Sequence, residues 1–196
     1  MTNPDSRQSI RQALRAKRSS LTPSQQAAAS EWLLRQLMKV PQFMRAQHVA
    51  LYWAMDGEID LAPVAQQLWK MGKHCYLPVL HPTQARKMWF VEYTPETVLI
   101  LNRYNIPEPD HSTARKLAPR LLDVVLLPLV GFDSTGARLG MGGGYYDTTF
   151  AFKQHKPASK PWLLGVAHEC QQVEKLETAE WDIPLQGVIT DKQVFI

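Results

Sequence analysis

The stretch of this chain best equipped for chemistry is Arg138-Leu139-Gly140-Met141-Gly142-Gly143-Gly144-Tyr145-Tyr146-Asp147. Glycines let backbone N–H groups approach a phosphate closely, an arginine forks onto its oxygens, and a carboxylate holds a bridging Mg2+. The run follows the apolar segment Val124 to Phe132, so a buried strand feeds a phosphate-binding loop. Its spacing is not that of a P-loop, since no lysine follows the glycines, and it is not G-x-G-x-x-G opening a Rossmann helix. A plain surface hairpin is the competing reading, and two adjacent tyrosines between an arginine and an aspartate speak against it.

A second set of candidates lies near the start of the chain. Arg7, Arg11 and Arg15 recur at i, i+4 and i+8 and share one face of a helix, beside an apolar stripe of Ile10 and Leu14. The chain has 22 Lys and Arg against 18 Asp and Glu; its first 18 residues hold five basic side chains and one acidic, which leaves 17 of each sign in the remainder. The whole +4 excess is therefore local. A nucleic-acid binder would spread a basic stripe with aromatic platforms across its fold, so that class is excluded. On residue types alone the ridge contacts an anionic ligand, lies as a solvated surface, or belongs to an arginine-rich targeting segment.

Other chemistries find little support. Cys75 and Cys170 lack C-x-x-C spacing and sit in apolar surroundings, as buried free thiols do. The histidines (His48, His74, His81, His111, His155, His168) have no ligand spacing and read as packing or surface residues. No Ser/His/Asp or Cys/His constellation stands out. The longest apolar run, near Val124, is about nine residues against the ~20 a membrane span needs, and no signal peptide opens the chain. One soluble, cytoplasmic domain over residues 1–196 is expected, with no membrane or nucleic-acid partner.

The elements that must position these residues are legible from periodicity and caps. Thr22-Pro23-Ser24-Gln25 is a capping box that starts a helix from about Pro23 to about Lys39, burying Trp32, Leu33 and Leu37. His48 to Ala54 reads as a strand, Asp60 as the N-cap of a helix ending near Gly72, and Cys75 to Leu80 as the next strand of a β-α-β unit. Lys87 to Tyr93 is a further strand, and residues 94 to 120 an irregular connection. Val124 to Phe132, apolar on both faces, is a central parallel strand. Beyond the glycines come a helix from Tyr146 to about Gln154, a strand from Trp162 to His168 and a short final strand from Gly187 to Thr190. The pattern is an α/β three-layer sandwich, Rossmann-like, with a mostly parallel central sheet and helices on both faces. In such folds ligands bind beyond the carboxyl ends of the central strands, so Trp53 to Glu58 and Arg138 to Asp147 converge on one cleft.

The stretch from Pro128 through Gly136, followed by Arg138-Leu139-Gly140, Gly142 and Gly144-Tyr145-Tyr146-Asp147, resembles the signature of the 5-formyltetrahydrofolate cyclo-ligases, also called methenyltetrahydrofolate synthetases. Arg11 to Arg15, Trp53 to Ile59, Tyr104 to Pro109 and Glu180-Trp181-Asp182-Ile183-Pro184-Leu185 are similar too, in family order, over nearly the whole chain. The resemblance implies ATP- and Mg2+-dependent closure of 5-formyltetrahydrofolate to 5,10-methenyltetrahydrofolate, with release of ADP and phosphate through an iminium phosphate, by a monomer or weak homo-oligomer. It implies ATP contacts at Arg11, Gln12, Ala13, Leu14 and Arg15 and along Arg138, Leu139, Gly140, Met141, Gly142, Gly143, Gly144, Tyr145 and Tyr146. Met141 to Tyr145 would also line the folate site, Trp53 would pack on the folate, and Glu58 would hydrogen-bond it. Asp147 and Asp182 would hold Mg2+ from opposite ends of the cleft, and Arg138 and Tyr145 would act at the reacting atoms.

Three positions depart from the family pattern: Arg11 where a lysine is frequent, Gly143 where some members carry lysine, and Thr148 where many carry arginine. Phosphate neutralisation would then lean on Arg138, Arg15 and Mg2+. A sugar-phosphate isomerase or acyl-transfer enzyme using the loop for a monophosphate is the enzymatic alternative, and it needs no arginine ridge. A nucleotide-responsive binding protein without turnover is the alternative from another class.

Overall fold

The computed structural model describes residues 4–110, 115–179 and 181–196, so His111 and Glu180 lie outside it. Its helices are α1 (Pro4–Ser19), α2 (Pro23–Leu37), α3 (Pro41–Arg45), α4 (Ala62–Lys70) and α5 (Tyr145–Thr149). The strands run β1 (His48–Ala50), β2 (His74–Leu80), β3 (Met88–Tyr93), β4 (Leu99–Leu101), β5 (Pro107–Pro109), β6 (Lys116–Leu117), β7 (Val124–Pro128), β8 (Gly131–Phe132), β9 (Arg138–Leu139), β10 (Trp162–Ala167), β11 (Gly187–Thr190) and β12 (Val194–Phe195).

Eight strands form one sheet in the order β12-β11-β10-β7-β1-β2-β3-β6. The five from β11 to β2 are mutually parallel, β12 and β3 flank them antiparallel, and β6 pairs antiparallel with β3 at the far edge. The chain lays down β1, then β2 on one side, then β7 on the other, so strand order reverses between β1 and β7. That reversal is the switch point, where a crevice opens past the carboxyl ends.

Alternation along β7 explains how one strand serves two layers. Val124 and Leu126 face the layer of α2 and α4, packing with Leu33, Leu37, Val64 and Leu68. Val125 and Leu127 face Phe150 and the α5 side. Each such fully buried side chain contributes ~1.5–3 kcal/mol of transfer free energy. The parallel, mostly covered sheet expected from sequence is thus present.

Several boundaries differ from the sequence reading for identifiable reasons. The Thr22 capping box forms as expected, with the Gln25 N–H donating to the Thr22 hydroxyl at 3.2 Å and the Thr22 N–H to Gln25 Oε1 at 2.8 Å. Trp32, expected to be buried, is exposed: Ala29, Leu33, Gln36 and Leu37 make the inward stripe, and the Arg35 guanidinium lies 4.6 Å over the indole instead. The first strand stops at Ala50, because the Tyr52 hydroxyl donates to the Ile59 carbonyl at 2.8 Å and closes residues 52–59 into a loop. Asp60 accepts from the Ala62 N–H at 2.9 Å, so the helix starts two residues past it.

The expected irregular connection holds β4, β5 and β6. Pro107 and Pro109 sit opposite Leu101 and Leu99, at alternate positions of a two-stranded ladder, where a missing N–H is tolerated. The helix expected to Gln154 ends at Thr149 and gives way to a 3-10 turn over Ala151–Lys153. Cys75 is buried, with burial pushing its thiol up to about 12, whereas Cys170 is half-buried; both are free.

Candidate active site

A cleft of about 1290 Å3 opens at the switch point. Trp53 and Glu58, beyond β1, and Pro128 and Leu129, at the end of β7, form its floor and one wall. Leu77, Pro78, Leu80 and Met88 extend the floor as an apolar surface. Arg7, Arg11, Arg138, Asp147, Asp182 and the glycine run from Gly140 to Gly144 line it as well.

The glycine run begins on a hairpin rather than directly after the central strand. Past β7, residues Gly131 and Phe132 pair with Leu139 and Arg138. Asp133 fixes the tip, its Oδ1 accepting from the Thr135 and Ala137 N–H groups at 2.9 and 3.2 Å. Arg138 therefore leaves from a strand of fixed direction. After it, Gly142 (φ 91°) and Gly144 (φ 69°) adopt left-handed backbone that side chains resist, and α5 starts at Tyr145. Met141, Gly142 and Gly143 are exposed along the cleft.

The basic end is built by long-range pairs. Arg138 Nη2 donates to Asp147 Oδ1 at 2.5 Å, and its Nη1 donates to the Ile183 carbonyl. Burial pulls the Arg138 guanidinium below its ordinary range while Asp147 and Asp182 hold it up. Arg7 pairs with Asp182 at 3.4 Å, and its buried Nε has no partner among the described residues. Arg11 donates from Nε to the Gly140 carbonyl at 2.9 Å. An unspent buried N–H beside two further guanidinium groups is an arrangement ready for an anion.

Asp147 and Asp182 do not lie at opposite ends of the cleft. Asp147 Oδ1 also accepts from the Ile183 N–H at 3.2 Å, so the segment carrying Asp182 is stitched to α5 beside Arg138. Asp182 Oδ2 takes Arg7 and the Ala179 N–H, and the second oxygen of each carboxylate takes no hydrogen bond from any described residue. Mg2+ is held by oxygen and is content with one or two carboxylates completed by phosphate and water. The donor set fits such an ion. No group of three or more His, Cys, Asp and Glu side chains suited to a metal exists among the described residues, so phosphate would have to complete the shell.

At the other end, Glu58 Oε2 accepts from the Met55 N–H at 3.0 Å. Burial pushes the Glu58 carboxyl above the usual carboxylate range, opposed by Met55 and the charge of Arg18. Trp53 is half-buried against the α2 and α4 layer. The Tyr145 phenol meets the Tyr104 hydroxyl at 2.7 Å and accepts from Arg103 at 2.8 Å, contacts that pull it below its ordinary range. Tyr146 stacks on Phe150 with its hydroxyl in the interior, where burial raises its pKa.

Of the residues implied by the resemblance, Arg11, Trp53, Glu58, Arg138, Gly140 to Asp147 and Asp182 line this one cleft. Gln12, Ala13, Leu14, Arg15 and Leu139 do not. Leu14 and Leu139 are core residues that pack together on Gly131. Gln12 and Ala13 are exposed on the outer side of α1, and Arg15 is spent on Asp56 at 2.7 Å. Arg7, part of the ridge expected from its spacing to Arg11 but given no role there, lines the cleft; so do Arg86, between β2 and β3, and Tyr104 and Glu108, which lie in the connection expected to be irregular and had no role assigned from sequence.

Comparison with known proteins gives a consistent answer. The model of the 5-formyltetrahydrofolate cyclo-ligase family matches residues 3–191. A 5-formyltetrahydrofolate cyclo-ligase of Escherichia coli (strain K12) is 44% identical over 182 residues, 93% of this chain and 98% of the relative. One from Haemophilus influenzae is 39% identical over 187 residues, 95% of this chain and 98% of its own. The solved structure of Aquifex aeolicus 5,10-methenyltetrahydrofolate synthetase superposes with a TM-score of 0.80 at 30% identity, covering 96% of this chain and 91% of the other.

Proposed function

The chain belongs to the 5-formyltetrahydrofolate cyclo-ligase family and is a ligase, and from that premise we propose that it converts 5-formyltetrahydrofolate and ATP, with Mg2+, to 5,10-methenyltetrahydrofolate, ADP and phosphate. The observation that carries this reading is the juxtaposition of two unlike half-sites: a cationic, glycine-lined end at Arg138 and an apolar end bearing Trp53 and Glu58, in a single cleft. A monophosphate isomerase would have no use for the apolar half. The reaction would run in one domain spanning residues 1–196, as a monomer or weak homo-oligomer in the cytoplasm.

The chemistry demands little covalent help from the protein. A formamide oxygen is a poor leaving group, so the γ-phosphoryl group is first transferred to it: the bond to the ADP oxygen breaks and an oxygen–phosphorus bond to the formyl oxygen forms. N10 then attacks the formyl carbon, the carbon–oxygen bond breaks with its electron pair going to phosphate, and N10 gives up its proton. Phosphoryl transfer is governed by positioning and charge neutralisation. Arg138 would meet the transferring group from its fixed strand, and Arg7 and Arg11 the remaining phosphate charge. Mg2+ held by Asp147 and Asp182 would neutralise further charge. On the folate side Trp53 would stack, Glu58 would accept hydrogen bonds from the pterin, and Met141 and Tyr145 would bring the formyl group to the loop.

Mixing the protein, Mg-ATP and 5-formyltetrahydrofolate and following near-ultraviolet absorbance tests the reaction. A rise that requires ATP is expected from the conjugated methenyl product; none overturns the proposal.

A further inference from the structure

Arg18 is fully buried, and among the described residues its guanidinium goes to Asp56, Leu129 and Glu58 rather than to the glycine run, Asp147 or Asp182. Its guanidinium is directed at the two strand ends that frame the switch point. Nε donates to the Asp56 carbonyl at 2.8 Å and Nη2 to Asp56 Oδ2 at 2.9 Å. Nη1 donates to the Leu129 carbonyl at 3.3 Å and lies 3.9 Å from Glu58 Oε1. Asp56 belongs to the loop beyond β1 and Leu129 follows β7, so one side chain bolts the two together.

The turn it holds is one that would not keep its shape unaided. Asp56 has φ 52° and Gly57 φ 75°, consecutive left-handed residues. Gln26 Nε2 donates to the Gly57 carbonyl at 3.3 Å, and His168 Nε2 lies 3.0 Å from the same oxygen. A Cβ on Gly57 would come within 3.3 Å of Gln26 Nε2 and 3.4 Å of Arg18 Cγ, so the turn is pressed against the end of α1. A buried ion pair is a poor device for stability alone, since apolar residues of equal volume do as well. A fork with fixed donor directions is well suited to orientation.

We propose that Arg18 is the positioning residue of the folate half-site, fixing the Asp56-Gly57 turn so that Glu58 and Trp53 face the cleft. This rests on the folate reading of that half-site. Arg18 touches no reacting atom in this role and acts through Glu58. Among the described residues it is also the one cation beside a carboxylate that is otherwise surrounded by Asp56 on its own turn, Tyr52 beyond β1 and Tyr146 on α5.

The test compares Arg18→Met, Arg18→Lys and wild type, each shown folded by circular dichroism. Wild-type turnover comes first: none overturns the folate reading and the role of Arg18 with it, whereas normal turnover leaves the role to be judged by the variants. Arg18→Met is expected to raise the 5-formyltetrahydrofolate KM at least tenfold, keep the ATP KM within threefold, and move the acid limb of folate kcat/KM to higher pH. Arg18→Lys, with charge but no fork, restores the pH limb and not the KM. Equal changes in both KM values, or none, overturn the proposal. Gly57→Ala disturbs the same turn from its own backbone, against Arg18 Cγ and Gln26, and gives the same folate-selective signature, so the role stays falsifiable if Arg18→Met does not fold; a folded Gly57→Ala with both KM values unchanged overturns it.

Discussion

Arg138 and Asp147 close the two ends of the glycine run on each other, Nη2 to Oδ1, at 2.5 Å. The loop is thereby drawn into a ring that includes the start of α5, and its exposed backbone faces the cleft. Removing a preorganised charge donor at a transition state costs about 100- to 1000-fold in rate. Arg138→Ala and Asp147→Ala are each expected to lower kcat/KM by that order while remaining folded by circular dichroism. Arg138→Lys does not rescue, because one ammonium cannot serve Asp147 and the Ile183 carbonyl in the arginine geometry.

Arg7 carries a buried N–H without an acceptor and shares Asp182 with no other side chain among the described residues. Arg7→Ala is therefore expected to raise the ATP KM about tenfold, equivalent to ~1.4 kcal/mol, with the folate KM little altered. Initial rates against each substrate in turn check this.

Trp53 and Glu58 predict the reverse selectivity. Trp53→Ala raises the folate KM more than the ATP KM, and the opposite order removes it from the folate wall.

Glu58 accepts hydrogen bonds through both oxygens, and most strongly, when ionised, and burial has raised its pKa. As pH falls through that raised value the carboxylate is lost, so folate kcat/KM declines from a pH above the ~4.3 of an ordinary glutamate. Glu58→Gln is expected to weaken folate binding and to abolish this limb. A profile of unchanged shape in the variant rejects the assignment.

Asp133 concerns the hairpin that aims Arg138. Burial pushes its pKa up, but the Thr135 hydroxyl and the N–H groups of Leu176, Thr135 and Ala137 outweigh it and hold the carboxyl below its usual value. Its folded pKa is depressed, so the stabilisation is complete above the unfolded value of ~3.9 and is lost as pH falls through the lower, folded one. Asp133→Asn is expected to cost ~1–3 kcal/mol and to flatten the acid side of the stability curve, as measured by urea unfolding against pH.

What was legible in the sequence follows a physical line. The β-α-β unit, the double-faced strand and the capping box depend on nearest neighbours and periodicity, and all formed, although the strand expected from Val124 to Phe132 stops at Pro128 and Gly131–Phe132 pairs with Arg138–Leu139 instead. The cleft was foreseen because strand ends on a parallel sheet share one edge. Roles decided by tertiary partners were not legible: nothing local distinguishes Arg15, spent on Asp56, from Arg11, which lines the cleft. Leu14 lay in the same motif, but its place one residue before Arg15 turned it into the core. The strands β4 and β5 were hidden because their prolines break the usual strand vocabulary.

The first helix has a consequence for how the molecule comes into being. Its arginines pair with partners far downstream: Arg11 with Gly140, 129 positions on, and Arg7 with Asp182, 175 positions on. During synthesis this helix leaves the ribosome well before Asp182 and finds that partner only when it has followed. Contacts so distant in sequence form late. The cationic end of the cleft is therefore among the last parts to mature, together with β11 and β12, whose residues follow Asp182 in the chain.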